Sequence, residues 1–482
     1  LTYEWLTLIK LIAKMAKSKI FFSMLVVCCL QLLPNKTLGQ DNTTFLSGSV
    51  DIPEGIQNIG ADMIKLVDQI IFGERDPTQR LSLAPLIEDI RQAIDASPIT
   101  GKSGVNLALS EAGIKQLEQS KSFSVTGSGG INYSVTQNSN GSSNQGGSLN
   151  PSITASRTLY DFGSLEIKME AQLLSRKITE IQIDKAADDL FLEAISSFYE
   201  VQRALLQTRL ARENLASRKA FVSFIRQRME IGASSSADVI RAEARVAGAL
   251  GTLSGSLEAL SIARANYRKI FGKEAQPYIL PQEIEIGELD VDNLNDYVMA
   301  NPDLELVRLN LKIAEKELED IFANRKGKIS TSIRAARSYS ESSGITSDTL
   351  SGTISFSTKI YDGGLSNTQV NRAELKIADL KFEERRSILA LRQQLEDAFS
   401  QYDGKISAVS SKMLVLEGAK DSYGITKELY TFSRISLFEV LSAQEELFNS
   451  GKNLIDSIID RAVAKYKLLY LCNQFEDIDG IL

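Results

Sequence analysis

Thr158-Leu159-Tyr160-Asp161-Phe162-Gly163 recurs as Lys359-Ile360-Tyr361-Asp362-Gly363-Gly364, 201 residues further along the 482-residue chain. The same offset pairs Phe198 with Phe399, and Asp238-Val239-Ile240-Arg241-Ala242-Glu243 with Glu439-Val440-Leu441-Ser442-Ala443-Gln444. Upstream, Ser97-Pro98 matches Asn301-Pro302 with a two-residue slip. Self-similarity at one spacing means one structural unit used twice. It divides the chain into residues 1–39, an unrepeated segment 40–80, a first repeat 81–271, a linker 272–291 with Pro277, Pro281 and Gly287, a second repeat 292–475 and a tail 476–482.

Each repeat reads as helix, β-hairpin, very long helix, helix. The hairpins are expected over 122–160 and 328–361, the long helices over 163–231 and 364–433, and the closing helices over 236–271 and 437–472. In the first hairpin Phe123, Val125, Gly127, Ile131, Tyr133 and Val135 alternate with Ser124, Thr126, Ser128, Asn132, Ser134 and Thr136. The Asn/Ser/Gly stretch Gln137 to Asn150 is expected to be a loop, as is Glu341 to Thr349 in the second hairpin. Leu350, Gly352, Ile354, Phe356 and Ile360 then alternate with Ser351, Thr353, Ser355 and Ser357. An apolar face opposite an uncharged Ser/Thr face suits a barrel with lipid outside and water inside. Val125, Ile131, Ile354 and Phe356 are therefore candidates for the lipid face, and Ser124, Ser128, Thr353 and Ser355 for the pore face. Four strands cannot close a barrel, and open edges are not tolerated in lipid, so closure needs several chains. The alternative is a pair of hairpins capping a soluble coiled coil.

No proline or glycine interrupts Gly163 to Ile231 after its first residue, and a helix of that length reaches ~100 Å. Leu192, Ile195 and Tyr199 follow one 4-3 seam, while Ala187, Leu190, Ala194, Ser197 and Val201 follow another on the opposite side. A helix with neighbours on two sides is a stave in a curved wall. Ile388, Leu391, Leu395, Ala398 and Tyr402 repeat the second seam. Both long helices end in a turn, where Ser235 with Asp238 and Ser436 with Glu439 have capping-box spacing. Those acids read first as helix caps, with a role facing a lumen as the alternative.

Composition removes whole chemistries. The sequence has 54 Lys+Arg, 61 Asp+Glu and no histidine, so histidine-dependent nucleophile systems and HExxH zinc sites are excluded. A formal charge of -7 argues against nucleic acid as a partner. Gly101-Lys102-Ser103 resembles the end of a phosphate loop, but Ala96 stands where the earlier glycine is required. No enzyme activity, metal or cofactor is expected. Lys17 and Lys19 precede the apolar run Ile20 to Leu33, which precedes Thr37-Leu38-Gly39, the pattern of an export signal cleaved before Gln40. Cys28 and Cys29 lie within that signal behind Val27, a poor lipoprotein box, and Cys472 is expected to serve packing.

The duplicated unit, the two Tyr-Asp junctions, Asn301-Pro302 and the turn ending Phe438-Glu439-Val440-Leu441 together resemble the TolC family of outer-membrane channel-tunnels, over about residues 81 to 475. The resemblance implies a mainly α chain with a membrane β-barrel: a homotrimer joining four strands per chain into twelve, above a periplasmic helical tunnel. It also implies a passive duct from the periplasm through the bacterial outer membrane. A periplasmic adaptor (membrane fusion) protein would dock at the helix tips, served by an inner-membrane ABC or proton-driven transporter, with small molecules or unfolded protein as cargo. Family members shut the tips through polar links; here Asp238 and Tyr430 match such positions, Glu439 matches a carboxylate ring, and Arg434 stands beside Ile435, where an arginine is expected. The competing function is a soluble periplasmic coiled-coil adaptor or structural protein, which would need a small β domain that the sequence does not display.

Overall fold

The structure is a computed structural model describing residues 59–75, 84–137, 141, 143–275, 293–341 and 343–475. The export signal, most of the linker and the tail lie outside the described residues. Helix α1 (Ala61–Arg75) comes first, then α2 (Ala84–Asp95) and α3 (Pro98–Gln119). Strands β1 (Ser124–Ser128), β2 (Ile131–Gln137), β3 (Ser143–Leu149) and β4 (Ser152–Tyr160) lead into α4 (Ser164–Glu230) and α5 (Ser236–Phe271). The second repeat holds α6 (Leu294–Ala300), α7 (Pro302–Arg325), β5 (Lys328–Ser340), β6 (Ile345–Ser357), α8 (Leu365–Thr431) and α9 (Leu437–Leu471).

The repeated Tyr-Asp motif is the hinge between sheet and helix. The Asp161 carboxylate accepts from the backbone N–H groups of Gly163 and Leu165 at 3.2 and 2.8 Å, and Asp362 accepts from Gly364 and Ser366 at 3.2 and 3.0 Å. Orphan donors of the first helical turn are thereby satisfied. Gly163 and Gly364 have φ of 89° and 87°, where a Cβ is strained. Phe162 takes the same left-handed region where the second repeat has Gly363, and its ring is held by Tyr160 at 4.9 Å and Phe356 at 6.5 Å.

The strands form one antiparallel sheet in the order β1-β4-β5-β3-β2, with β6 on β5. β1 and β2 are one stave broken at Gly129-Gly130, and β3 and β4 another broken at Asn150-Pro151. The region Gln137 to Asn150, expected as a loop, contains β3, registered on β2 from Ile131↔Leu149 to Gln137↔Ser143. Its Ser, Asn, Gln and Gly side chains carry no apolar alternation; pairing with the aromatic and β-branched β2 supplies the order instead. The second expected loop is likewise shorter, since β6 starts at Ile345, while Ile360 lies beyond its end at Ser357.

Both seams of α4 are used. Ile195 and Tyr199 pack with Ile459 and Tyr466 of α9 and Ile87 and Ile90 of α2. Val201 and Ala204, on the other side, pack with Leu260, Ala263 and Tyr267 of α5. Each long helix pairs with the helix that follows it, and α9 joins the two pairs by packing on α4. Arg203 reinforces that joint, donating to Asp456 at 3.1 Å and Asp460 at 2.6 Å, while Lys405 of α8 reaches Asp460 at 2.7 Å. Cys472 is buried beside Leu395 and Leu468, and burial pushes its thiol up to about 12.

The unrepeated segment contributes α1 to this wall. Met63, Leu66 and Val67 are fully buried among Leu210, Phe221, Leu416 and Tyr423. Lys427 donates to the Ile59 carbonyl at 3.1 Å, and Lys420 pairs with Asp68. Gly60 sits at φ 80° with the Ser217 and Tyr423 hydroxyls 3.1 Å from where a Cβ would be.

Candidate functional site

Two regions carry the candidate residues, the sheet and the turns at the far ends of α4 and α8. In the sheet, rows of paired residues separate the two chemistries. Ser124↔Ser156↔Ser332↔Thr353 form one row, Ser128↔Ser152↔Ala336↔Thr349 another, and Thr158↔Ser330↔Ser355 a third. Their hydroxyls meet across the strands, at 3.0 Å for Ser124 with Ser156, 2.8 Å for Ser128 with Ser152 and 3.0 Å for Ser330 with Ser355. Rows of the opposite face run Val125↔Ala155↔Ile333↔Gly352 and Tyr160↔Ile329↔Phe356, with Ile354 facing Thr331 between them. Ile131 reaches that face through Leu149 and Tyr339. The four candidates for each surface thus share a face. Among the described residues, charges interrupt the apolar face at two places: Arg157, in the row of Thr331 and Ile354, and a two-bonded ion pair one row short of Tyr339, Arg337 with Asp348 at 2.6 and 2.8 Å.

At the first turn Gly232 closes α4 with φ 74°, and Ser235 caps α5. Asp238 completes a capping box: its N–H donates to the Ser235 hydroxyl at 3.2 Å, and its carboxylate accepts from the Ser235 N–H at 3.1 Å and hydroxyl at 2.8 Å. The Ser235 hydroxyl bond, against the opposing pull of burial, holds this carboxyl below the usual aspartate range. At the second turn Ser433 takes the left-handed conformation, and Ser436 caps α9 through the Glu439 N–H at 3.4 Å. Glu439 accepts from the Ser436 hydroxyl at 3.1 Å and remains exposed.

Sequence reasoning missed the residue that ties the two turns together. Arg228, in the last turn of α4, donates to the Thr431 carbonyl at 3.1 Å, the Tyr430 carbonyl at 3.4 Å and the Ser433 hydroxyl at 2.7 Å. Those acceptors include two carbonyls in the last turn of α8, of which that of Tyr430 also accepts from the Ser433 N–H at 3.0 Å, and a cation is favoured at this end of a helix. The guanidinium also lies over the Tyr430 ring at 5.1 Å and that of Phe224 at 5.8 Å. Tyr430 is buried against Phe221 and Phe224; burial raises its hydroxyl, which bonds Ser234, and Ser234 donates to Asp238 at 3.3 Å. Tyr430 and Asp238 are therefore brought together through Ser234. Arg434 is exposed and, among the described residues, its side chain makes no hydrogen bond or ion pair. The repeat held a signal for Arg228, whose counterpart at the 201-residue offset is the uncharged Leu429.

Residues 90–273 match the family described as outer membrane efflux protein. Nodulation protein T of Rhizobium leguminosarum bv. trifolii is 26% identical over 396 residues, covering 79% of this chain and 80% of that protein. The probable outer membrane lipoprotein SilC of Salmonella typhimurium is 25% identical over 328 residues, covering 64% of this chain and 68% of that protein. Among solved structures, the Campylobacter jejuni CmeC outer membrane channel matches with a TM-score of 0.69 at 14% identity, over 93% of this chain and 96% of that one.

Proposed function

We propose that the chain is an outer-membrane efflux duct, a reading supported by its similarity to the outer membrane efflux protein family and by its fold, and that three copies assemble into one duct whose helical tips form its gate. The chain belongs to the outer membrane, extends into the periplasm and serves there as an exit duct of a tripartite efflux system. One observation carries the trimer. Among the described residues the sheet has an apolar face, a hydroxyl face and two unpaired edges, at β1 and β6. Backbone groups on those edges have no water in a bilayer and must pair with another chain. Joining β6 of one copy to β1 of the next satisfies both edges, places the Ser/Thr rows in the lumen and leaves Val125, Ile131, Ile354 and Phe356 against lipid.

The duct is passive, and its energy comes from an inner-membrane ABC or proton-driven transporter coupled through a periplasmic adaptor at the tips. Arg228, Tyr430, Ser234 and Asp238 hold the tips of each copy together in the closed state. Light scattering on detergent-extracted protein tests the assembly: a mass of three chains is expected. A stable monomer with full strand content would overturn it.

A further inference from the structure

The hydroxyl face of the sheet carries a charge in its middle. Along this face the described strand positions are Ser, Thr, Asn, Gly and Ala residues, with Ile345 at the far end. The exceptions are Lys328, the first residue of β5, and Arg334, the seventh of its thirteen. Arg334 stands in the row Thr154↔Arg334↔Ser351, flanked along β5 on the same face by Ser332 and Ala336. It is exposed, and among the described residues it has no ion pair. The contrast with Arg337 is physical. That arginine lies on the apolar face close to the hairpin turn and is neutralised by Asp348 at 2.6 Å, whereas Arg334 faces hydroxyls and no carboxylate. Arg334 lies among hydroxyls that suit water, whereas Arg157, in the row Arg157↔Thr331↔Ile354 of the apolar face, lies over the Phe123 ring at 5.7 Å.

We infer that Arg334 makes the barrel lumen an anion-binding collar. The inference rests on the trimer proposed above, in which three copies of Arg334 lie at one level of the pore. Hydroxyl neighbours add donors for oxyanions without adding opposing charge. Three like charges at one level of a water-filled passage raise the positive potential inside it, as charged rings do in selective pores. The collar therefore attracts small and multivalent anions, tripolyphosphate among them, from the barrel end of the duct.

Planar-bilayer recordings of the trimer test this with tripolyphosphate added to one side at a time. Block from the barrel side is expected in the wild type and in Arg334→Lys. In Arg334→Ser the half-blocking concentration should rise on the order of tenfold. Arg157→Ser removes the same charge from the opposite face, where Arg157 lies over the Phe123 ring at 5.7 Å, and should leave block unchanged. Equal block in wild type and Arg334→Ser, or a loss of block in Arg157→Ser, would overturn the collar while leaving the duct intact. A wild type that is monomeric and non-conducting would overturn the trimer itself.

Discussion

The Arg228 guanidinium lies 5.1 Å from the centre of the Tyr430 ring and donates to the carbonyl of the same tyrosine at 3.4 Å, so one side chain of the first repeat holds both the ring and the backbone of a residue in the second. Cation–π contact and the charge-assisted bonds to Thr431 and Ser433 together are worth about 2 kcal/mol. Arg228→Ala should shift the closed-to-open balance of the tips roughly thirtyfold toward open. Single-channel recordings should show higher conductance or open probability with trimer recovery unchanged. Wild-type gating in Arg228→Ala would remove this residue from the gate, and Arg434→Ala should have the smaller effect of the two.

Asp238 supplies a pH dependence whose sign follows from its depressed pKa. Its cap contributes fully above the ordinary aspartate value of about 3.9 and is lost as pH falls through the lower value of the folded chain. Asp238→Asn should flatten the acid limb of a melting-temperature profile below about pH 4, and Asp238→Ala, which removes the carboxylate from the first turn of α5, should cost about 0.3–1 kcal/mol at neutral pH. An acid limb identical to wild type would contradict the assignment.

Glu439 separates a cap from a lumen charge. If its role is limited to the Ser436 contact, Glu439→Gln keeps cation selectivity. If three copies converge on the pore, the exchange lowers selectivity and weakens block by multivalent cations. Reversal potentials in a salt gradient distinguish the outcomes, and unchanged values leave Glu439 as a helix cap.

The two faces of the sheet should respond differently to lysine. Val125→Lys and Ile354→Lys each add a charge to the proposed lipid face in every copy, at up to about 2–4 kcal/mol per chain. Ser355→Lys adds the same charge to the hydroxyl face. Trimer yield in detergent should fall for the first two and hold for the third; equal yields would reverse the lipid and pore assignment.

Helix α1 should brace the wall. Met63→Ala removes a fully buried side chain and should cost about 2–5 kcal/mol. Gly60→Ala meets both a left-handed backbone and the crowded Ser217 and Tyr423 hydroxyls, and should also destabilise. Melting temperatures of both variants, set against wild type, measure the effect.

What the sequence made legible was periodic. Two copies of one unit, the barrel-forming alternation and the opposed seams through Ile195 and Val201 all follow from spacing alone. Strand β3 was hidden because Gln145, Gly146 and Gly147 have no preference that a side chain could express; its order comes from the partner strand. Helix α1 lies outside the repeat and had nothing to be compared with. Arg228 has no local signature, since two backbone carbonyls, the Ser433 hydroxyl and the Tyr430 ring that it engages lie 202 or more residues away.

The placement of α1 also constrains how the chain acquires its structure. Ile59 and Lys427 meet across 368 residues, so a helix near the start of the chain closes its core against helices near the end. Such non-local closure carries a large loop entropy before any contact rewards it, and folding slows accordingly. The pocket for Met63, Leu66 and Val67 is built partly from Leu416 and Tyr423 and exists only once α8 has been made. A chain cut short before α8 would leave the apolar faces of Met63, Leu66 and Val67 without that half of their pocket, open to water and to proteolytic attack.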